Sequence, residues 1–223
     1  MNETDTSFGF SIKFEWPLIL LLAASFIYGI YVYPSLPDQV PSHWNIQGEV
    51  DGWSTPFWGA FGMPLLNLGM YIMFFLIPRI DPKKEKYAKF RGAYNAFRYA
   101  LHLLLAGLFV VIMMAARGME PDVDRLVPMG VAILFIIIGN YMGKIQKNYF
   151  FGIRTPWTLD NEEVWRKTHR MAGPLWVGGG LVSLIGAVFG GKTASVVFFS
   201  ALAIMVVVPT VYSYFAFQRL KNQ

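Results

Sequence analysis

Six apolar runs, each close to the ~20 residues a helix needs to cross the hydrocarbon core of a bilayer, constrain this chain more than any other feature. They cover 16–34, 56–77, 99–116, 126–142, 173–190 and 194–217. A backbone in lipid must satisfy its polar groups internally, so runs of this length predict helices. The expected fold is an all-α polytopic membrane protein with six transmembrane helices. The composition agrees: 55% of the residues are hydrophobic and 15% charged, far more apolar than a soluble domain of this length. The turn between the last two runs is punctuated only by Gly190, Gly191 and Lys192. If it holds, the count is even and both termini share one side.

One integral membrane domain, 1–223, follows. It divides into a helix pair at 16–77 with a Pro-rich outer loop, a second pair at 78–143, a loop at 144–172 and a third pair at 173–217. The first run is too long for a signal peptide and lacks a small-residue cleavage pattern, so it reads as a retained helix. Of the 19 Lys and Arg, 16 lie on one face: Lys13, seven over 79–98, six over 144–170, and Arg219 and Lys221. Only Arg117, Arg125 and Lys192 lie on the other. The positive-inside rule then makes the protein multi-pass, with both termini and the two basic loops cytoplasmic and the 35–55 loop outside. The formal charge of +5 is thus topological, and direct nucleic-acid binding is not expected. With no cysteine in the chain, disulfides, thiolate catalysis and Cys-based metal sites fall away.

The outer loop is broken by Pro34, Pro37, Pro41 and Pro56 and turned by Gly48 and Gly52, which predicts an irregular, compact connector. His43, Asn45, Glu49 and Asp51 could converge on a cation, while Trp44, Trp53 and Trp58 could sit at headgroup level. An aromatic belt with Asx-type turns fits better, because one His among carboxylates has no diagnostic ligand spacing. The inner loop after Asp81 and Pro82 places Tyr87, Phe90, Tyr94, Phe97 and Leu101 three or four residues apart. That spacing predicts an amphipathic surface helix or an extension of the third helix, with its lysines toward water and lipid headgroups.

The densest polar stretch is 148–170, NYFFGIRTPWTLDNEEVWRKTHR, set between two apolar runs. Gly152 and Pro156 break regular structure, and Asp160 followed by Glu163 has the form of a capping box. A short helix is expected over 161–171, with Val164, Trp165, Thr168 and Met171 inward and Glu162, Arg166, Lys167 and Arg170 outward. Arg154 is placed to pair with Glu162, Glu163 or the carbonyl end of the fourth helix. The loop then becomes a folded cytoplasmic cap, and Asn148, Gly152, Arg154, Thr155, Pro156, Trp157, Glu163, Trp165, His169 and Arg170 are its candidate functional residues.

The residues GNYMGKIQKN, GIRTPWTL and EVWRKTHR with a following Gly, over 139–173, resemble the signature of the SdpI family of bacterial bacteriocin-immunity membrane proteins. The outer run PSLPDQVPSHWNIQGEVDGW resembles a short proline-rich domain of unknown function that often accompanies it. The resemblance implies protection of the producing bacterium from a secreted, membrane-active killing peptide of the SDP kind. It also implies, from the best-known member, that a cytoplasmic autorepressor can be held at the membrane. The partners so implied are a secreted toxic peptide, a repressor and membrane lipid.

A transporter or channel is the rival reading, as is an orphan membrane sensor. Asn67, His102 and Asn140 are the intramembrane polar candidates, but no Asp, Glu, Lys or Arg falls well inside a run, which disfavours an ion relay. Interhelical hydrogen bonding accounts for such residues. No HExxH or GxSxG occurs, so neither an enzyme nor a cofactor is expected. The small residues Gly178, Gly179, Ser183, Gly186 and Gly190 suit internal packing or a dimer face equally, leaving the oligomeric state open.

Overall fold

A computed structural model describes residues 12–221; the extreme ends, which are expected to share the cytoplasmic side, lie outside that range. Its elements are α1 (Ile12–Val32), β1 (Val40–Trp44), β2 (Val50–Ser54), α2 (Pro56–Ile80), α3 (Arg91–Ala116), α4 (Val123–Met142), α5 (Pro156–Asp160), α6 (Glu162–Phe189) and α7 (Gly191–Lys221). All the helices but the short α5 are long and apolar enough to cross a membrane. The helices form two lobes, α1–α2–α3 and α4–α6–α7, which meet chiefly where α3 runs beside α4.

The outer loop departs from expectation. It is an antiparallel β-hairpin, with Val40 opposite Ser54 and Trp44 opposite Val50. Proline did not prevent this because Pro41 lies in a two-stranded ribbon beside an irregularity in the pairing, where one missing N–H is tolerated. The turn is closed by Asn45, whose Oδ1 accepts from the backbone N–H of Gln47 and Glu49. Val40 is fully buried and packs on Gly59 of α2, which seats the hairpin on the bundle.

The second departure is the length of α6. The expected short helix over 161–171 and the expected membrane helix from 173 are one continuous helix running through Pro174. A proline inside a helix removes one hydrogen bond and strains the turn, yet close packing against α4 overrides it. A Cβ at Gly139 would lie 2.6 Å from the Val177 nitrogen and 2.8 Å from the Gly173 carbonyl oxygen. The two backbones touch where the sequence suggested a break. Gly179 packs on Met205 and Gly186 on Val197 of α7, so these small residues serve internal packing; Gly178 is exposed.

The third concerns charge. Helix α1 begins earlier than its apolar run, as does α3, and this brings Glu15 and Arg98 inside the helices. Arg98 donates from Nη1 and Nη2 to the two Glu15 carboxylate oxygens, at 3.0 and 2.7 Å. Both side chains are buried. A bidentate pair withdrawn from water in this way holds α1 to α3 and is costly to break singly.

Candidate functional site

The segment between α4 and α6 is a hydrogen-bonded unit folded onto the α2–α3 connector. Asn148 is its hub and is wholly buried. Its Oδ1 accepts from the backbone N–H of Phe150 at 2.9 Å and of Phe151 at 2.6 Å. Its Nδ2 donates to the carbonyls of Gln146 and Phe151, both at 2.9 Å. A side-chain amide that replaces the backbone's own partners stabilises a chain reversal without regular structure.

The connector meets this hub through Asp81 and Tyr87. The Asp81 carboxylate accepts from the Tyr87 hydroxyl at 2.9 Å, the Tyr149 N–H at 3.0 Å and the Lys83 N–H at 2.7 Å. Tyr87 also reaches the Asn148 oxygen at 3.4 Å. The predicted amphipathic stripe of Tyr87, Phe90, Tyr94 and Phe97 packs inward against Phe74, Ile145 and Phe151. Residues 84–90 form a 3-10 turn and α3 proper starts at Arg91, so the extension of the third helix is the form observed.

The GIRTP and EVWRKTHR runs lock together across Gly152. Trp165 Nε1 donates to the Ile145 carbonyl at 2.8 Å. The His169 ring stacks on Trp165 with centroids 4.1 Å apart. His169 Nδ1 donates to the Trp165 carbonyl, leaving Nε2 to accept the Ile153 N–H at 2.9 Å. Gly152 has φ +110°, and a Cβ there would sit 2.5 Å from His169 Nε2, so this position needs glycine on two counts.

Helix α5 is fixed by the reciprocal capping box of Thr155 and Thr158. Thr155 Oγ1 lies 2.9 Å from Ser213 Oγ of α7, and Trp157 packs edge-on against Tyr214 of the same helix. Pro156 opens α5 at its first turn and is exposed. The capping box expected at Asp160 and Glu163 is absent: Asn161 caps α6, its side chain accepting from Glu163 N and Val164 N. Asn161 wins because its oxygen stands one residue nearer the free N–H groups of the first turn.

The predicted outward residues are outward, but their partners differ. Glu162 pairs with Lys86 at 2.7 Å and Glu163 with Lys167 at 2.8 Å, which leaves Arg154 to donate to the Tyr149 carbonyl at 2.6 Å. Arg170 is exposed. Lys147 Nζ donates to the Asp160 carbonyl, and desolvation, assisted by nearby Lys83, holds its pKa below the usual lysine value. Of the signature residues, Asn148, Thr155, Trp165 and His169 are interior, whereas Arg154, Pro156 and Arg170 face outward.

The other predicted groups do not join this unit. In the hairpin, His43 pairs with Asp51 at 2.5 Å and Asn45 with Glu49 at 2.8 Å. The four form two separate pairs, and among the described residues no group of three or more His, Cys, Asp or Glu is placed to hold a metal ion. Trp53 and Trp58 are exposed and Trp44 half-buried. Asn67 and His102 hydrogen-bond each other between α2 and α3, as interhelical polar pairs do. Asn140 is exposed on α4 and takes no such role.

Seven helices among the described residues, six of them of membrane-spanning length, and a hydrogen-bonded plug between the fourth and fifth of these six define a polytopic, multi-pass helical membrane protein. Residues 144–213, the plug and the helices that follow it, match the SdpI/YfhL protein family. Residues 20–68, which include the hairpin, match a domain of unknown function (DUF1648). The chain is 28% identical over 204 residues to "Immunity protein SdpI" of Bacillus subtilis (strain 168), covering 92% of this chain and 96% of that protein. No solved structure matches it.

Proposed function

We propose that this chain is a bacteriocin-immunity protein of the bacterial plasma membrane that protects its producer from a secreted, membrane-active, SDP-like peptide. The observation that carries the reading is the nearly full-length similarity to a protein named for immunity, which takes in the hydrogen-bonded plug. In this reading the whole chain acts as one integral membrane domain. The plug and both termini are cytoplasmic, because the basic residues cluster at that end, and the hairpin faces outward. Protection works by binding and not by catalysis.

The plug divides the work between two sets of residues. Asn148, Gly152, Thr155, Trp157, Trp165 and His169 hold its shape. Arg154, Glu163 and Arg170 present that shape to the cytoplasm, where a repressor could be held when toxin is engaged. Membrane lipid is the other partner, through the lysines of the connector.

The test is survival of a toxin-sensitive bacterium exposed to SDP-type peptide, with and without this protein. Arg154→Ala and Arg170→Ala variants are compared at membrane levels matched by immunoblot. Both residues are exposed, so their loss should leave the fold intact. Protection by the parent that falls in the variants supports a functional plug face. No protection by the parent at matched level would reject immunity to that peptide.

A further inference from the structure

At the end of the bundle opposite the plug, strand β1 roofs a cavity of about 420 Å3. Leu108 of α3, Val127 and Val131 of α4 and Phe198 of α7 form its floor, and Asn45, Ile46 and Asp124 stand on its rim. Through the shared residues Leu108, Val111 and Val127 it continues into a second cavity of about 380 Å3 between α3 and α4, which reaches Ala100 and Ile137. From Val111 to Ala100 the groove follows α3 for roughly 16 Å, or three helical turns. It lies on the seam between the two lobes.

The roof is held in place before any ligand arrives. The Asp124 carboxylate accepts the Gly191 N–H at 2.7 Å and stands in van der Waals reach of Gly48 at the hairpin turn. Hairpin, α4 and the α6–α7 turn are thus tied at one point. The charge around this end is opposite to that at the plug. Segments 33–55, 117–125 and 190–192 hold Asp38, Glu49, Asp51, Glu120, Asp122 and Asp124 against Arg117, Arg125 and Lys192; Asp51 pairs with His43 and Asp122 with Arg125.

We propose that this groove seats a cationic amphipathic peptide, with its apolar face along the α3–α4 seam and its cations toward Asp124 and the other carboxylates of this end of the bundle. The proposal rests on the immunity reading, which supplies a secreted membrane-active peptide arriving from this side. Two features select the occupant. An apolar trough about three turns long matches one face of a helix laid in a groove. The excess of carboxylates at this end, with Asp124 in the cavity wall, repels the phosphate of an anionic phospholipid and attracts a cation.

The test places a photo-crosslinking residue at Val127 in the groove or at Val207, which is exposed and lines a separate groove on α7 beside Lys167 and Arg219. The full-length protein, in phosphatidylcholine–phosphatidylglycerol vesicles, is irradiated with biotinylated SDP-type peptide. The expected result is at least about tenfold more peptide adduct at Val127 than at Val207. A further loss of about tenfold at low salt is expected when Glu49→Gln, Asp51→Asn and Glu120→Gln are combined, shrinking as salt rises. Equal adducts at both positions, or phospholipid as the sole adduct at Val127, overturn the proposal. Cells protected by a protein that gives no Val127 adduct would reject the groove while leaving immunity standing. Adduct at Val127 without protection would support the groove and reject immunity.

Discussion

Replacing Gly152 by alanine tests whether the signature segment is held by the interlock described above. Two costs add. A φ of +110° is strained for any residue with a Cβ, at about 1–3 kcal/mol. The new methyl would also sit 2.5 Å from His169 Nε2, so the imidazole must move. That strands the Ile153 N–H, and a buried donor left unpaired costs about 1–3 kcal/mol. Reduced freedom of the unfolded chain returns about 0.4–1 kcal/mol, leaving a net loss of roughly 3 kcal/mol. The assay is equilibrium unfolding in mixed micelles with rising SDS, followed by tryptophan fluorescence. Gly69→Ala is the control, since a Cβ there meets nothing within 4 Å; in a helix it should be neutral or gain up to ~1 kcal/mol. In a His169→Ala background the Gly152→Ala cost should shrink by more than about 1 kcal/mol, because the two residues are in contact. A Gly152→Ala protein within about 0.5 kcal/mol of the parent, or strict additivity with His169→Ala, would refute the interlock.

Asn148→Ala removes four backbone partners at one buried point and should cost about 3 kcal/mol or more, read in the same titration and as faster proteolysis of the 145–153 stretch. Arg98→Ala should cost about 3–5 kcal/mol by stranding Glu15, whereas Glu15→Met with Arg98→Met should fall close to the parent; a double variant as weak as the single would show that the pair itself stabilises. Asn161→Ala should cost about 1 kcal/mol through loss of the α6 cap, with Asp160→Ala near zero, and the reverse order would restore the Asp160 cap. Thr155→Val should lower stability by about 1–2 kcal/mol through its capping role, and Ser213→Ala should recover little of it.

The spans were legible because membrane helices need length and hydrophobicity alone, and both are local properties. The inward stripe of the connector was legible for the same reason: Tyr87, Phe90, Tyr94 and Phe97 recur at helical spacing. What stayed hidden depends on partners distant in the chain. Glu15 and Arg98 are 83 residues apart and each flanked its apolar run, so neither advertised a pair. The hairpin was obscured by four prolines whose effect on pairing is decided by strand register. Gly173 and Pro174 looked like a helix end, and only the approach of Gly139 explains why α6 continues. In the signature, the inward stripe of Val164, Trp165 and Thr168 is legible from its spacing, whereas Arg154, for which spacing offers Glu162, Glu163 or the carbonyl end of the fourth helix, donates to the Tyr149 carbonyl, because Lys86 and Lys167 take the carboxylates. Asp81 was read as the start of a loop when it is a shared acceptor for three donors.

The unbroken run of α6 has a mechanical meaning. Its 28 residues span roughly 42 Å at the helical rise, more than the thickness of the hydrocarbon core. One end carries Trp165 and His169; the other ends at Gly190 (φ +67°) beside the Asp124 carboxylate. The two faces of the membrane are therefore joined by a single continuous helix anchored at each end. The same helix thus carries the plug at one end and, through Asp124, meets the hairpin turn at the other.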